Sequence, residues 1–179
     1  MTDATPEFSR PFQADSVPLG GRALRVTATS EECAALAARF GLVALKSLAA
    51  DLKLTKVRGG QMVRVAGSLH AEAVQTCVVT LEPMDTLVGD EFQAVFAPAA
   101  LLDPDSGELE IGLSDEDGPE PMEGGRIDLG ELVAQHLSLA LDPYPRKPDA
   151  AYTAVAEGEG GEEPAKPSPF AVLKGRKPG

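Results

Sequence analysis

The stretch Leu48-Ala49-Ala50-Asp51-Leu52-Lys53-Leu54-Thr55-Lys56-Val57-Arg58-Gly59-Gly60-Gln61-Met62-Val63-Arg64-Val65-Ala66-Gly67-Ser68-Leu69-His70-Ala71-Glu72-Ala73 decides the fold. Leu48, Ala50, Leu52 and Leu54 alternate with Ala49, Asp51, Lys53 and Thr55, a period of two that lays one apolar row along a half-buried strand. Arg58-Gly59-Gly60-Gln61 then supplies two glycines free to take the positive φ angles of a tight hairpin. The returning strand carries Val63, Val65, Leu69, Ala71 and Ala73 on one face and Arg64, Ser68, His70 and Glu72 on the other. Gly67 falls in the apolar row, where a glycine predicts a bulge or a sharp bend.

Working outward, strand character continues from Val74 to Leu81, with Cys77 in register with Val79 and Leu81; it turns near Pro83 and resumes with Phe92, Ala94 and Phe96. Strands joined by short turns imply an antiparallel meander. Upstream, Ser30 to Phe40 predicts a helix: Ser30 can cap it, Glu31 and Glu32 complement its positive end, and Gly41 stops it. Cys33, Leu36, Ala37 and Phe40 form its apolar stripe. A second helix opens at Asp128, with Asp128 and Glu131 at capping-box spacing, and ends before Pro143. Leu129, Leu132, Val133, His136, Leu137 and Ala140 share its apolar side. The expected architecture is α+β, an antiparallel sheet, either open or barrel-like, packed by two helices, with an acidic loop and a flexible C-terminal tail. Residues 1–150 form one domain, in which 98–126 predicts a largely mobile acidic loop carrying one short strand at Leu109, Ile111 and Leu113.

Residues 151–168 have the composition of a disordered linker. The apolar hexamer Pro169-Phe170-Ala171-Val172-Leu173-Lys174 follows, where a tail that merely stays solvated would carry few apolar groups. Residues 169–179 are therefore expected to hold a docking segment, with Phe170, Val172, Leu173 and Lys174 meeting either the chain's own domain or a partner.

The chain has 179 residues and a formal charge of -12, which argues against broad phosphate binding. The charge is uneven. Asp103 to Glu123 holds nine acids and no base, whereas Lys46 to Arg64 holds five bases and one acid, Asp51. Lys53, Lys56, Arg58 and Arg64 are the candidate contacts to RNA or a partner. Two cysteines, Cys33 and Cys77, make no disulfide framework, and no Cys/His cluster has the spacing of a zinc site. The N-terminus lacks a secretion signal and no run is long enough to span a membrane, so a soluble, cytoplasmic protein is expected.

No pattern demands catalysis, a metal or another cofactor. His136 on its apolar helix face reads as a hydrogen-bonded core residue, and His70 faces solvent. Cys77 as a nucleophile would need a histidine within reach; as a small buried hydrophobe it needs nothing. Asp115-Glu116-Asp117-Gly118 lacks EF-hand spacing, and Gly124-Gly125 has no following Lys-Ser/Thr for a phosphate loop.

Three stretches in order resemble the YceD family of large ribosomal RNA subunit accumulation proteins. They are Val65-Ala66-Gly67-Ser68-Leu69 leading into Cys77-Val78-Val79-Thr80-Leu81-Glu82-Pro83; Ile127-Asp128-Leu129-Gly130-Glu131-Leu132 with Leu139-Ala140-Leu141-Asp142-Pro143-Tyr144-Pro145; and the terminal Pro-Phe-Ala-Val-Leu-Lys. Thr80 stands where many members carry the second cysteine of Cys-x-x-Cys, which sets aside a metal or a disulfide at this strand. The resemblance implies a noncatalytic ribosome-biogenesis factor supporting synthesis, processing or stability of large-subunit (23S) ribosomal RNA, with that RNA or a large-subunit ribosomal protein as partner. The alternatives are an acidic binding protein that captures a basic ribosomal protein and a cysteine-dependent enzyme.

Overall fold

The computed structural model describes residues 6–102 and 118–150. The acidic run 103–117, with its expected strand, and residues 151–179, with the expected linker and docking segment, lie outside the described residues. The described chain is α+β. Strand β1 (Pro11–Gln13) is followed by β2 (Arg22–Thr27), helix α1 (Ser30–Phe40), β3 (Ala44–Val57), β4 (Met62–Thr76), β5 (Pro83–Pro98), β6 (Glu120–Met122), β7 (Arg126–Asp128) and helix α2 (Leu129–Ala140).

The meander forms as the alternation predicts. β3 and β4 pair antiparallel through the Arg58–Gly60 hairpin, where Arg58 joins the two glycines at positive φ. Leu54 faces Val65, Leu52 faces Gly67 and Ala50 faces Leu69; on β5 the same rows continue with Ala94, Phe92 and Asp90. One face of the sheet thus carries an apolar row on every long strand. α1 packs on β3 and α2 on β5, closing that face into a core around Leu36, Leu48, Leu54, Val65, Leu69 and Leu137, all fully buried.

Five details sharpen or correct the sequence reading. The five-stranded sheet, in the order β2-β3-β4-β5-β6, stays open and does not close as a barrel. Its edge strands run only six and three residues beside central strands of 14 to 16, and β6 joins β5 in parallel. Closure needs edges long enough to pair; here the two helices fill the concave side instead. Second, the acidic span ends in β6 and β7, so its described part is pinned: β7 pairs antiparallel with β1. Third, Gly67 lies in unbroken register, and the bulge falls in β3 between Leu45 and Ser47. The reason for the glycine is packing, because a Cβ at 67 would lie 2.6 Å from both Leu52 Cδ2 and Phe92 Cζ, which close over it.

Fourth, Thr29, not Ser30, caps α1. Its hydroxyl accepts from Glu32 N at 3.3 Å while its own N–H donates to Glu32 Oε2 at 2.8 Å, a reciprocal capping box. Fifth, β4 ends at Thr76, and Cys77 to Leu81 form a turn, not a strand. Leu81 takes a positive φ of 60° and donates its N–H to the Cys77 carbonyl at 2.9 Å. The β-branched pair Val78-Val79 favours a strand, but the segment after α2 competes for the same backbone groups and wins.

Candidate functional site

The four basic candidates do not form one patch. Residues on β3 and β4 alternate sides, and Lys53 and Arg64 fall on the face opposite the helices as diagonal neighbours, Lys53 facing Ala66 and Arg64 facing Thr55 two residues on. Lys56 shares the inner row with Leu52 and Leu54. It emerges at the hairpin end, where its Nζ donates to the Asp15 carbonyl at 3.3 Å. Arg58 sits in the turn itself. Arg64 is half-buried, and its Nε has no hydrogen-bond partner among the described residues.

The outer face around Lys53 and Arg64 carries Ala23, Arg25, Asp51, His70, Glu72 and Glu91, all exposed. Both helices pack on the other side, and the small residues Ala23, Ala66 and Ser68 leave a shallow hollow of about 650 Å³ rimmed by Asp51, Lys53 and Glu91. Arg25 pairs with Asp51 at 3.3 Å with both side chains more than half exposed, a contact that water screens and that adds little to stability. This face is mixed in sign, with its positive charge concentrated toward the hairpin.

The acidic side lies elsewhere. Glu120, Glu123, Arg126 and Gln135 line a second hollow of about 460 Å³ beside β6 and α2. Next to it the Ile127-Asp128-Leu129-Gly130-Glu131 stretch acts as a structural tie. Asp128 caps α2 by accepting from Gly130 N and Glu131 N, and also receives Arg10 N at 2.7 Å and the Ser9 hydroxyl. Gly130 is required because a Cβ there would sit 2.3 Å from the Phe8 carbonyl oxygen. Glu131 does not complete a capping box; its carboxylate is held by Arg39 of α1 at 2.8 and 3.0 Å. Arg10, in turn, grips Glu32 with two bonds of 2.7 and 2.8 Å and pulls that carboxyl down to about 2.

Cys77 is fully buried, and its surroundings are polar. The Thr80 hydroxyl, then the backbone N–H groups of Lys147 and Thr80, hold its thiol down to about 6, against the opposing effect of burial. The two backbone donors stand 3.4 and 3.5 Å from the sulfur. Cys77 is thus buried, as the reading of it as a small buried hydrophobe requires, but its surroundings are polar because the segment after α2 runs back over the turn. Val78 N donates to the Pro145 carbonyl at 2.9 Å, and Lys147 Nζ meets Glu82 at 2.6 Å. Among the described residues no group of three His, Cys, Asp or Glu could hold a metal, and the donors around Cys77 are N–H and hydroxyl groups, which suit a sulfur anion and not a cation. Among the described residues no histidine hydrogen-bonds Cys77. His136 stacks on Phe92 with ring centroids 4.0 Å apart and turns its Nδ1 toward Asp90 at 3.5 Å, so it is half-buried at the core's margin. His70 is exposed, as expected.

One buried polar residue was missed. Gln75 is 7% exposed; its Nε2 donates to the Asp142 carbonyl at 2.9 Å, and its Oε1 accepts from nothing among the described residues. The signal for it was the register, since Gln75 continues the inner row Val63, Val65, Leu69, Ala71, Ala73.

Fold and surfaces together define an α+β domain whose sheet is covered by helices on one side and open on the other. The chain belongs to the YceD family: the family model described as Large ribosomal RNA subunit accumulation protein YceD matches residues 65–175, well over half its length. The family's description ties it to accumulation of the large ribosomal RNA. No curated protein and no solved structure matches the chain. No helix among the described residues is long and apolar enough to cross a membrane.

Proposed function

We propose that this chain is a noncatalytic, cytoplasmic ribosome-biogenesis factor that supports large-subunit ribosomal RNA by contacting it through the hairpin end of its open sheet face. The observation that carries the reading is the pairing of family membership with an uncovered face where Lys53 and Arg64 stand as diagonal cross-strand neighbours. Arg58 extends the same end at the hairpin tip. Lys56 contributes less, because it leaves from the inner side toward Asp15. On a chain of charge -12, such a contact is local, so only a few phosphates are neutralised.

The test is a Lys53→Glu/Arg64→Glu double variant, followed by sedimentation with large-subunit precursor particles and by binding to fragments of the RNA over a salt series. Loss of co-sedimentation with an unchanged circular dichroism spectrum supports the assignment. Undiminished binding removes it.

A second reading, favoured by the nine acids and no base between Asp103 and Glu123, is that the acidic span captures a basic ribosomal protein before assembly. Glu120 and Glu123 line the hollow beside β6 in support of it. Recovery of one basic protein from lysate after nuclease treatment favours this reading, and nuclease-sensitive recovery favours the first.

A further inference from the structure

A third surface owes nothing to either reading. At the end of the domain remote from the hairpin, the C-termini of α1 and α2, the end of β4 and the Cys77 turn enclose a groove of about 490 Å³. Phe40, Leu42, Val78, Leu141, Pro143 and Pro145 give it apolar walls. One exposed large apolar residue of the described chain, Val78, stands 41% exposed in the wall itself, and Val43, Leu139 and Tyr144 are sequence neighbours of lining residues without lining the groove themselves. Single exposed apolar residues are ordinary, whereas several apolar side chains lining one concave site mark a place for an occupant. Gln75 is part of the same lining and holds a buried acceptor, Oε1, with no partner among the described residues. An occupant that fits must bring apolar side chains and an N–H donor.

We infer that the occupant is the chain's own segment Pro169-Phe170-Ala171-Val172-Leu173-Lys174, docked in cis. Phe170, Val172 and Leu173 supply the apolar groups, and the main-chain N–H groups that follow Pro169 supply donors for Gln75 Oε1. The route is short. Asp142, Pro143 and Pro145 form one wall of the groove, and the segment they open is latched by Val78 N to the Pro145 carbonyl and by Lys147 N to the Cys77 sulfur. The described chain therefore leaves its last residue, Ala150, near the site. Eighteen residues, 151–168, separate that exit from Pro169. A flexible chain of this length has a root-mean-square reach of roughly 21–25 Å, which the four glutamates extend further, enough to return to the groove at an effective concentration on the order of millimolar. The charges agree as well: the groove lining holds Arg39, already paired with Glu7 and Glu131, and Asp142, whose carboxylate is left to meet Lys174, Arg176 and Lys177.

Amide hydrogen exchange by NMR on the full-length protein, with no RNA or partner present, tests this independently of the RNA reading. The expected result is protection of Ala171 to Lys174 at least tenfold above coil rates, together with shifts of the Leu42, Gln75 and Val78 resonances when Phe170→Ala/Leu173→Ala is introduced. Val78→Glu, at a partly exposed wall position that leaves the core intact, should return the four amides to coil rates while amides in β3 and β4 stay protected. Coil rates in the unmodified chain overturn the inference. So does protection that grows with protein concentration, which would mean a second copy, or protection that survives Val78→Glu.

Discussion

The two faces of the central sheet are built from neighbouring residues and obey opposite rules. On the inner face Leu52, Gly67 and Phe92 stand side by side, so close that position 67 has no room for a side chain, and His136 stacks on Phe92 from α2. One residue away, Lys53, Ala66 and Gln93 form the matching row of the outer face, with no helix over it. The contrast teaches that the burial of this domain is concentrated on one side, which leaves the other side free to vary for binding without a large cost in stability.

The sharpest way to break that contrast is Gly67→Val. Its Cβ alone would overlap Leu52 and Phe92, and overpacking of this kind costs about 3 kcal/mol. Chemical denaturation should show the midpoint falling with an unchanged m-value. A loss below about 1 kcal/mol would mean that Phe92 and Leu52 move apart easily and that the inner face is loosely packed.

The inner row ends at Cys77, and there the expected effect is one of pH. The folded thiol titrates at about 6, below the unfolded thiol's ordinary value of about 8.5, so between these values the unfolded chain binds a proton that the folded chain does not. Stability from this source is complete above the unfolded value and is lost as pH falls through about 6. Unfolding midpoints of the natural protein should therefore rise from pH 6 to 9, and Cys77→Ser, which keeps a small polar group but does not titrate, should flatten that rise. An identical slope in both proteins would assign it to other groups.

How far the two faces could be read in the sequence follows from their periods. β3 and β4 show their alternation over more than a dozen residues, so the inner and outer rows, the hairpin and the stop at Gly41 all emerge from the residues alone. The same parity already separates Lys56 from Lys53 and marks Gln75 as inward, although the local excess of charge drew Lys53, Lys56, Arg58 and Arg64 into one patch. Thr29-x-x-Glu32 fits a capping box and Ser30-x-x-Cys33 does not, so that cap was legible too. β1, β6 and β7 have three residues each, too few for any period; β1 and β7 are held together beside Asp128, and β6 rests on the end of β5. The polar cradle of Cys77 depends on Lys147, 70 residues away, and no local pattern carries such a contact.

A smaller effect is expected at the hairpin, where Arg58 takes a φ of 48°. Arg58→Gly removes that strain but adds unfolded-state freedom, so the net gain should be about 0.5 kcal/mol, read as a slightly higher melting temperature. Because Arg58 belongs to the basic end, the same variant should weaken RNA binding while stabilising the fold, separating the two properties in one protein. A variant that loses both would tie the hairpin's conformation to the core more closely than its exposed position implies.

The smallest change tests the outer face directly. Ala66→Val adds the same valine side chain as Gly67→Val at the very next residue, on the other side of the sheet. Nothing among the described residues covers Ala66 there, and valine suits a strand, so stability should change by no more than about 0.5 kcal/mol in either direction. The gap between the two neighbours, above 2 kcal/mol if both expectations hold, measures how one-sided the packing is. A large loss at Ala66 would mean that something presses on the outer face in solution. The hollow around Ala23, Ala66 and Ser68 would then already be occupied before any RNA arrives, and Lys53 and Arg64 would have to act from its rim.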